Sequence, residues 1–235
     1  MQAIILAGGR GRRLLPYTTV LPKPLMPIGD YSILEVILRQ LKYYGFDDIT
    51  ISTGYLSELI NAYVTHRGKN LDIDIRFVHE DEPLGTIGPL RLVPHLEDTF
   101  MVMNGDILTD LNYQDLIAAH IRKNSIATIA TYKRNVNVDF GVLEYDPELR
   151  IHTFTEKPVF HFEVSMGIYV LNKEILNFVP KNKLFGFDQL MYSLTEKKAA
   201  VYSYPYSGYW LDIGRSDDYE RAIQEFEQNM DKFLK

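Results

Sequence analysis

Four basic side chains, Arg10, Arg12, Arg13 and Lys23, fall between Met1 and Gly29, and no acidic residue occurs before Asp30, although the 235-residue chain carries a formal net charge of -6. They follow an apolar run, Ala3-Ile4-Ile5-Leu6-Ala7, that empties into Gly8-Gly9-Arg10-Gly11-Arg12-Arg13. Glycines at a strand end let backbone N–H groups approach phosphate oxygens, while arginine and lysine neutralise the charge. Pro22 and Pro24 restrict the backbone around Lys23, so its ammonium is presented from a stiffened segment. Binding of a small polyanion is the chemistry this suits. The bland alternative is a solvated basic turn followed by a proline-rich surface loop. Neither common phosphate loop is present: Gly9-Arg10-Gly11-Arg12-Arg13-Leu14 lacks the third glycine of the dinucleotide fingerprint, and no Gly-Lys-Ser/Thr occurs, since Asn70 follows Gly68-Lys69.

Carboxylates supply the second kind of chemistry. Asn104-Gly105-Asp106 closes the apolar run Phe100-Met103, which places Asp106 at the carboxyl end of a buried strand, where open α/β sheets bind ligands. Its partner would be Asp212, in Tyr209-Trp210-Leu211-Asp212-Ile213-Gly214, brought near only by the fold. Two carboxylates suit Mg2+, which takes oxygen ligands and keeps waters and substrate phosphates. Taken singly, each aspartate is as well explained as a turn residue or helix cap. With no cysteine, disulfides and thiolate ligands or nucleophiles are excluded, and the six histidines form no metal or triad spacing.

The elements that must hold these residues are legible as alternation. Strands are expected at Ala3-Leu6, Ile49-Thr53, Ile73-Val78 and Phe100-Met103, with helical spacing at Ile33, Leu34, Ile37, Leu38 and Leu41. A second amphipathic segment runs from Leu56 to Val64, ahead of a turn-like break at residues 67–70. After Asn124 the pattern turns β-rich: Ile126-Tyr132, Gly141-Tyr145, Ile151-Thr155, Ser165-Leu171 and Ala199-Tyr204, with one terminal amphipathic helix over Ser216 to Lys235. The fold class expected is α/β, a doubly wound, mostly parallel, Rossmann-like mixed sheet with helices on both faces and a β-rich, substrate-facing lobe. One domain over 1–235 is expected, with a nucleotide-binding half to about residue 124 and a sugar-phosphate half beyond it. No apolar run approaches a membrane span and no signal peptide is visible, which places the protein in the cytoplasm. A pI near 5.5 argues against nucleic acid as a partner.

Leu6-Ala7-Gly8-Gly9-x-Gly11-x-Arg13-Leu14-x-Pro16-x-Thr18, followed by Pro22-Lys23-Pro24, resembles the signature of the sugar-1-phosphate nucleotidylyltransferases. The resemblance continues through Asn104-Gly105-Asp106, Phe140-Gly141-Val142, Glu156-Lys157-Pro158 and Trp210-Leu211-Asp212, across nearly the whole chain. It implies transfer of a nucleoside monophosphate to a sugar 1-phosphate with release of pyrophosphate, and Mg2+ held by Asp106 and Asp212. It also implies that Leu6, Ala7, Gly8, Gly9, Gly11, Arg12, Arg13 and Lys23 bind the nucleotide. Gly141, Glu156, Lys157 and Gly167, with Asp106, would face the sugar phosphate, Lys157 on phosphate and Glu156 on hydroxyls. Arg13, Lys23, Asp106, Lys157 and Asp212 would be catalytic. Three residues depart from the family pattern: Arg12 replaces a small hydroxyl residue, and Ser165 and Met166 replace Asn and Ala.

Glu80-Asp81-Glu82-Pro83-Leu84-Gly85-Thr86-Ile87-Gly88 resembles the base-binding segment of mannose-1-phosphate guanylyltransferases, adding Glu80, Pro83, Gly85 and Thr86 to the expected nucleotide contacts. Guanine presents N1–H and an exocyclic amine side by side, which a carboxylate accepts together; thymine and uracil offer carbonyls for which it has no donor. GTP and mannose 1-phosphate are therefore the expected substrates. Thymidylyl, cytidylyl or uridylyl transfer to glucose 1-phosphate or a heptose 1-phosphate stays open, as do a non-catalytic nucleotide-sugar-binding homologue and homo-oligomerisation. No carboxyl-terminal β-helix, and so no acetyltransferase activity, is expected.

Overall fold

The computed structural model describes residues 1–68 and 71–234. In chain order the elements are β1 (Gln2–Ala7), a small hairpin of β2 (Pro27–Ile28) and β3 (Tyr31–Ser32), α1 (Ile33–Tyr43), β4 (Asp48–Thr53), α2 (Ser57–Arg67), β5 (Asp74–His79), β6 (Thr99–Asn104), β7 (Ile107–Thr109) and α3 (Tyr113–Lys123). The second half holds β8 (Ala127–Asn137), β9 (Val142–Tyr145), β10 (Ile151–Thr155), β11 (Val159–Asn172), α4 (Phe187–Glu196), β12 (Val201–Tyr206), β13 (Trp210–Asp212), α5 (Ser216–Gln228) and α6 (Met230–Phe233).

Seven strands form one twisted sheet in the order β12-β8-β11-β6-β1-β4-β5, with only β11 antiparallel to its neighbours. β1 is flanked on both sides by parallel partners, so its backbone groups are paired and its side chains buried on both faces. Ala3, Ile5 and Ala7 point into one core with the apolar face of α1 and with Phe226 and Phe233; Ile4 points into the other, with Phe100, Val102 and Leu190 of α4. Alternation along one strand thus feeds two cores, and helices cover both faces of the sheet, as expected of the doubly wound class.

The chain leaves β1 for β4 and β5 on one side, then returns to β6 on the other, which puts a crevice beyond the carboxyl ends of the parallel strands. Away from this sheet, β9 and β10 form a hairpin with apolar side chains in solvent: Phe140 is 77% exposed, Leu149 74% and Phe154 62%.

Four expectations need correction. The strand read at Ser165-Leu171 is fourteen residues long, from Val159, because its exposed outer part pairs with β8 from Val159↔Asn137 onward. The terminal helix breaks at Asn229, whose side-chain amide donates to Glu225 O; the break lets Phe233 stack on Phe226 at 5.7 Å between ring centroids. Two helices, α3 and α4, were not anticipated. Helix α2 continues to Arg67. Lys69 and Asn70 of the break read at 67–70, and Lys235 at the chain's end, lie outside the described residues.

Candidate active site

Five short segments meet at the carboxyl edge of β1, β4, β5 and β6 and enclose a cleft of about 440 Å³. The first is the loop leaving β1. Gly11 sits at φ +59, and its carbonyl accepts from Leu14 N–H and Thr18 Oγ, both at 2.9 Å, which curls the loop back toward the sheet. Gly8 lies against the loop after β4: Tyr55 N–H donates to Gly8 O at 3.3 Å, and a Cβ on Gly54 would fall 2.9 Å from that oxygen.

Glu80, directly after β5, has its carboxylate fixed by two donors. Ser52 Oγ donates to Oε1 at 2.8 Å and Leu84 N–H to Oε2 at 3.0 Å. A side chain on Gly8 would collide with it, since a Cβ there would stand 2.6 Å from Oε1. A carboxylate has about four acceptor sites, so each oxygen keeps one for a ligand. The segment that follows is anchored to the loop before α4: Ile87 and Gly88 N–H donate to Phe185 O at 3.1 and 3.0 Å, and Phe187 N–H to Thr86 Oγ1 at 2.8 Å.

Lys23 reaches the reacting end of the cleft. It is 8% exposed, makes an ion pair with Asp106 Oδ2, and lies 3.9 Å from Asp212 Oδ1. Gly105 N–H donates to Leu6 O at 2.9 Å, which ties the Asp106 turn to β1. Antiparallel pairing of β13 with β7 sets Asp212 opposite Ile107, and Ile213 N–H donates to Asp106 O at 3.1 Å. The two aspartates, distant in sequence, are therefore neighbours. Burial and the nearby Asp106 carboxylate raise the pKa of Asp212, against the opposing pull of Lys23 and Arg13. Asp106 Oδ1 is buried with no hydrogen-bond partner. A carboxylate oxygen left bare and a neighbour pushed toward its neutral form both mark a place short of positive charge, and a hard divalent cation fits the oxygen donors. No group of three or more His, Cys, Asp or Glu able to hold a metal occurs among the described residues, so waters and substrate oxygens would complete the shell.

Leu6, Ala7, Gly8, Gly9, Gly11, Arg12, Arg13, Lys23, Glu80, Pro83, Gly85, Thr86 and Asp106 all border the cleft. Asp212 borders a second cavity that shares Arg13 and Gly214 with the first. Gly167, at φ +73, packs on Asn104, where a Cβ would come within 2.6 Å of its Nδ2. Ser165 and Met166 have structural partners: Ser165 Oγ accepts from Gly167 N–H at 3.2 Å, and Met166 O from Trp210 Nε1–H at 3.0 Å. Gly141 and Glu156 lie side by side near the β9–β10 hairpin, a Cβ on Gly141 falling 3.1 Å from Glu156 Oε2. Glu156 and Lys157 are exposed, and neither lines either cavity. Sequence reasoning passed over Asn104 as a lining residue of the cleft, and Tyr132 and Arg134, which line the second cavity, were not singled out either.

The model of the nucleotidyl transferase family matches residues 2–229. The chain belongs to that family. Among curated relatives of this chain, a UTP–glucose-1-phosphate uridylyltransferase of Synechocystis is 31% identical over 95% of this chain and 63% of its own length. A mannose-1-phosphate guanylyltransferase catalytic subunit beta of Danio rerio is 30% identical over 93% of this chain and 62% of its own. The chain thus spans a little under two thirds of these relatives. Among solved structures, HddC from Yersinia pseudotuberculosis has a TM-score of 0.74 at 26% identity, covering 96% of this chain and 99% of that one; its complex with GMP-PN gives 0.73. These neighbours carry the same α/β architecture. No helix among the described residues is long and apolar enough to cross a membrane.

Proposed function

We propose that this nucleotidyl transferase moves GMP from GTP to a hexose 1-phosphate, mannose 1-phosphate foremost, and releases pyrophosphate. The observation that carries the proposal is Lys23 lodged between Asp106 and Asp212 at the mouth of a glycine-rich cleft. The acceptor's phosphate oxygen attacks the α-phosphorus in line, so no protein nucleophile is required; positioning and charge neutralisation supply the rate. Arg13 neutralises the departing pyrophosphate. Lys23 offsets the charge that develops around the reacting phosphates, and Lys157, in the turn between β10 and β11, orients the attacking phosphate. Asp106 and Asp212 would hold Mg2+, which when bound supplies Lewis-acid stabilisation of phosphate oxygens.

Glu80 supports the choice of guanine: its two oxygens are already oriented by Ser52 and Leu84, with acceptor sites left for N1–H and the exocyclic amine. A solved neighbour complexed with GMP-PN is in keeping with this. The uridylyltransferase relative makes UTP with glucose 1-phosphate the principal rival. Pyrophosphate release measured with Mg2+ across GTP, dTTP, UTP, CTP and ATP, against mannose 1-phosphate, glucose 1-phosphate and a heptose 1-phosphate, separates the two. Turnover confined to GTP supports Glu80 as the base reader; turnover with UTP instead keeps the reaction and discards the base.

A further inference from the structure

A second cavity of about 410 Å³ opens between β8, β13 and the start of α5, continuous at Arg13 and Gly214 with the nucleotide cleft. Two rows of side chains build it. On β13, Trp210 and Asp212 lie two residues apart and share a face, while Leu211 between them is buried. On β8, the Tyr132 ring packs against Trp210 at 5.3 Å between centroids. Arg134, one strand repeat or about 6.6 Å further along, therefore lies on that same face. Lys133 and Asn135 also line the cavity, and Lys133 stands in register with Glu163 on β11. Arg215 enters from the third side, as the residue leading into α5.

The charges in this cavity do not balance. Of its two carboxylates, Asp212 faces Lys23 at 3.9 Å, and Asp218 accepts Arg215's own backbone N–H at 3.1 Å without an ion pair to its guanidinium. Arg221 is paired with Glu225 at 3.6 Å. Arg134 and Arg215 make no ion pair and no side-chain hydrogen bond among the described residues. A hexose 1-phosphate brings one phosphate, which under the proposed function is met by Lys157, while Arg13 serves the departing pyrophosphate. Two guanidinium groups remain beside the sugar's place, each a planar fork suited to an oxyanion.

We propose that the acceptor carries a second anionic group, a carboxylate or a phosphate away from C1, and that Arg134 and Arg215 bind it as specificity-determining residues. The Trp210–Tyr132 wall supplies the apolar surface on which the sugar ring lies, with anionic groups at both ends. The inference rests on the sugar-1-phosphate transfer proposed above and narrows its acceptor class.

The test compares kcat/KM for glucose 1-phosphate, glucose 1,6-bisphosphate and glucuronic acid 1-phosphate, and for the matching mannose compounds, with the triphosphate that turns over. A preference for the doubly charged acceptors of about tenfold or more is expected, since each tenfold step corresponds to about 1.4 kcal/mol. Arg134→Gln and, independently, Arg215→Gln should collapse that ratio, and Arg134→Lys should restore part of it. Turnover without preference, or a ratio unchanged in both glutamine variants, overturns the inference and leaves the transferase function standing. If no acceptor turns over, the substrate proposal fails. Calorimetric binding of glucose 1,6-bisphosphate against glucose 1-phosphate then decides the inference: tighter binding of the bisphosphate that is lost in Arg134→Gln supports it, and equal binding sinks it.

Discussion

Asp106 splits its two oxygens between unlike fates: Oδ2 holds Lys23, and Oδ1 is buried and bare. Asp106→Asn keeps the shape and removes the charge, so pyrophosphate release should drop by a factor of about 100 to 1,000 with the far-ultraviolet spectrum unchanged. Wild-type turnover in that variant would remove Asp106 from the reacting centre. Gly8 acts on the base instead. Gly8→Ala forces the Glu80 carboxylate off the Ser52 and Leu84 donors, because the added carbon would lie 2.6 Å from Oε1. Discrimination between GTP and UTP should fall by about tenfold, as expected for loss of one oriented charged hydrogen-bonding contact. Steady-state KM values for both triphosphates check this. These residue-level features were legible beforehand because each motif is short and local. Glu80's two donors were not, since Ser52 lies on another strand.

The 84–88 segment shows what an element contributes that motifs cannot. Gly85 stands at φ +82, and a Cβ there would be 2.7 Å from the backbone oxygen of Phe185. Backbone cannot yield as a flexible side chain can. Gly85→Ala should therefore destabilise the fold by about 1–3 kcal/mol and raise KM for the triphosphate, read by thermal melting and initial rates. The strands of the parallel sheet were legible because apolar runs ending in Gly, Asp or Glu announce buried strands with polar carboxyl ends. Helix α4 was not, although the loop ahead of it holds the base segment. Its buried residues, Leu190 and Leu194, are too few to stand out among polar neighbours. Asn112, whose Oδ1 accepts from Gln114 and Asp115 N–H to cap α3, was a sequence signal that went unread.

At the scale of the molecule, His120 joins α3 to β8 and β11. It is 1% exposed, with Nδ1 2.9 Å from Thr128 Oγ1 and Nε2 2.9 Å from Asn172 Oδ1. Asn172 Oδ1 also accepts from Thr99, so it acts as an acceptor and Nε2 of His120 donates to it. Burial lowers its pKa below the usual 6.5, outweighing the Asn172 hydrogen bond that raises it. Below that usual value the unfolded chain takes up a proton that the folded one refuses, so this residue's contribution to stability falls as pH drops from 6.5 toward the folded-state pKa. The melting temperature of His120→Gln should accordingly depend less on pH between about 7 and 5 than that of the parent, even if its value at pH 7 is lower. Parallel slopes in the two pH series would show that another group governs the acid limb.

The pairing of β7 with β13 also sets a clock. Ile107 is made early and Asp212 about a hundred residues later, so at roughly 5–20 residues per second the ribosome takes on the order of 5–20 s to supply the partner. Throughout that interval the growing chain can bring Lys23 to Asp106 but holds no Asp212, and β7 presents an unpaired edge to whatever is nearby. The half-made protein is thus without a complete phosphate site while the β7 edge is open, and β13 on emerging finishes the site and covers that edge in one step.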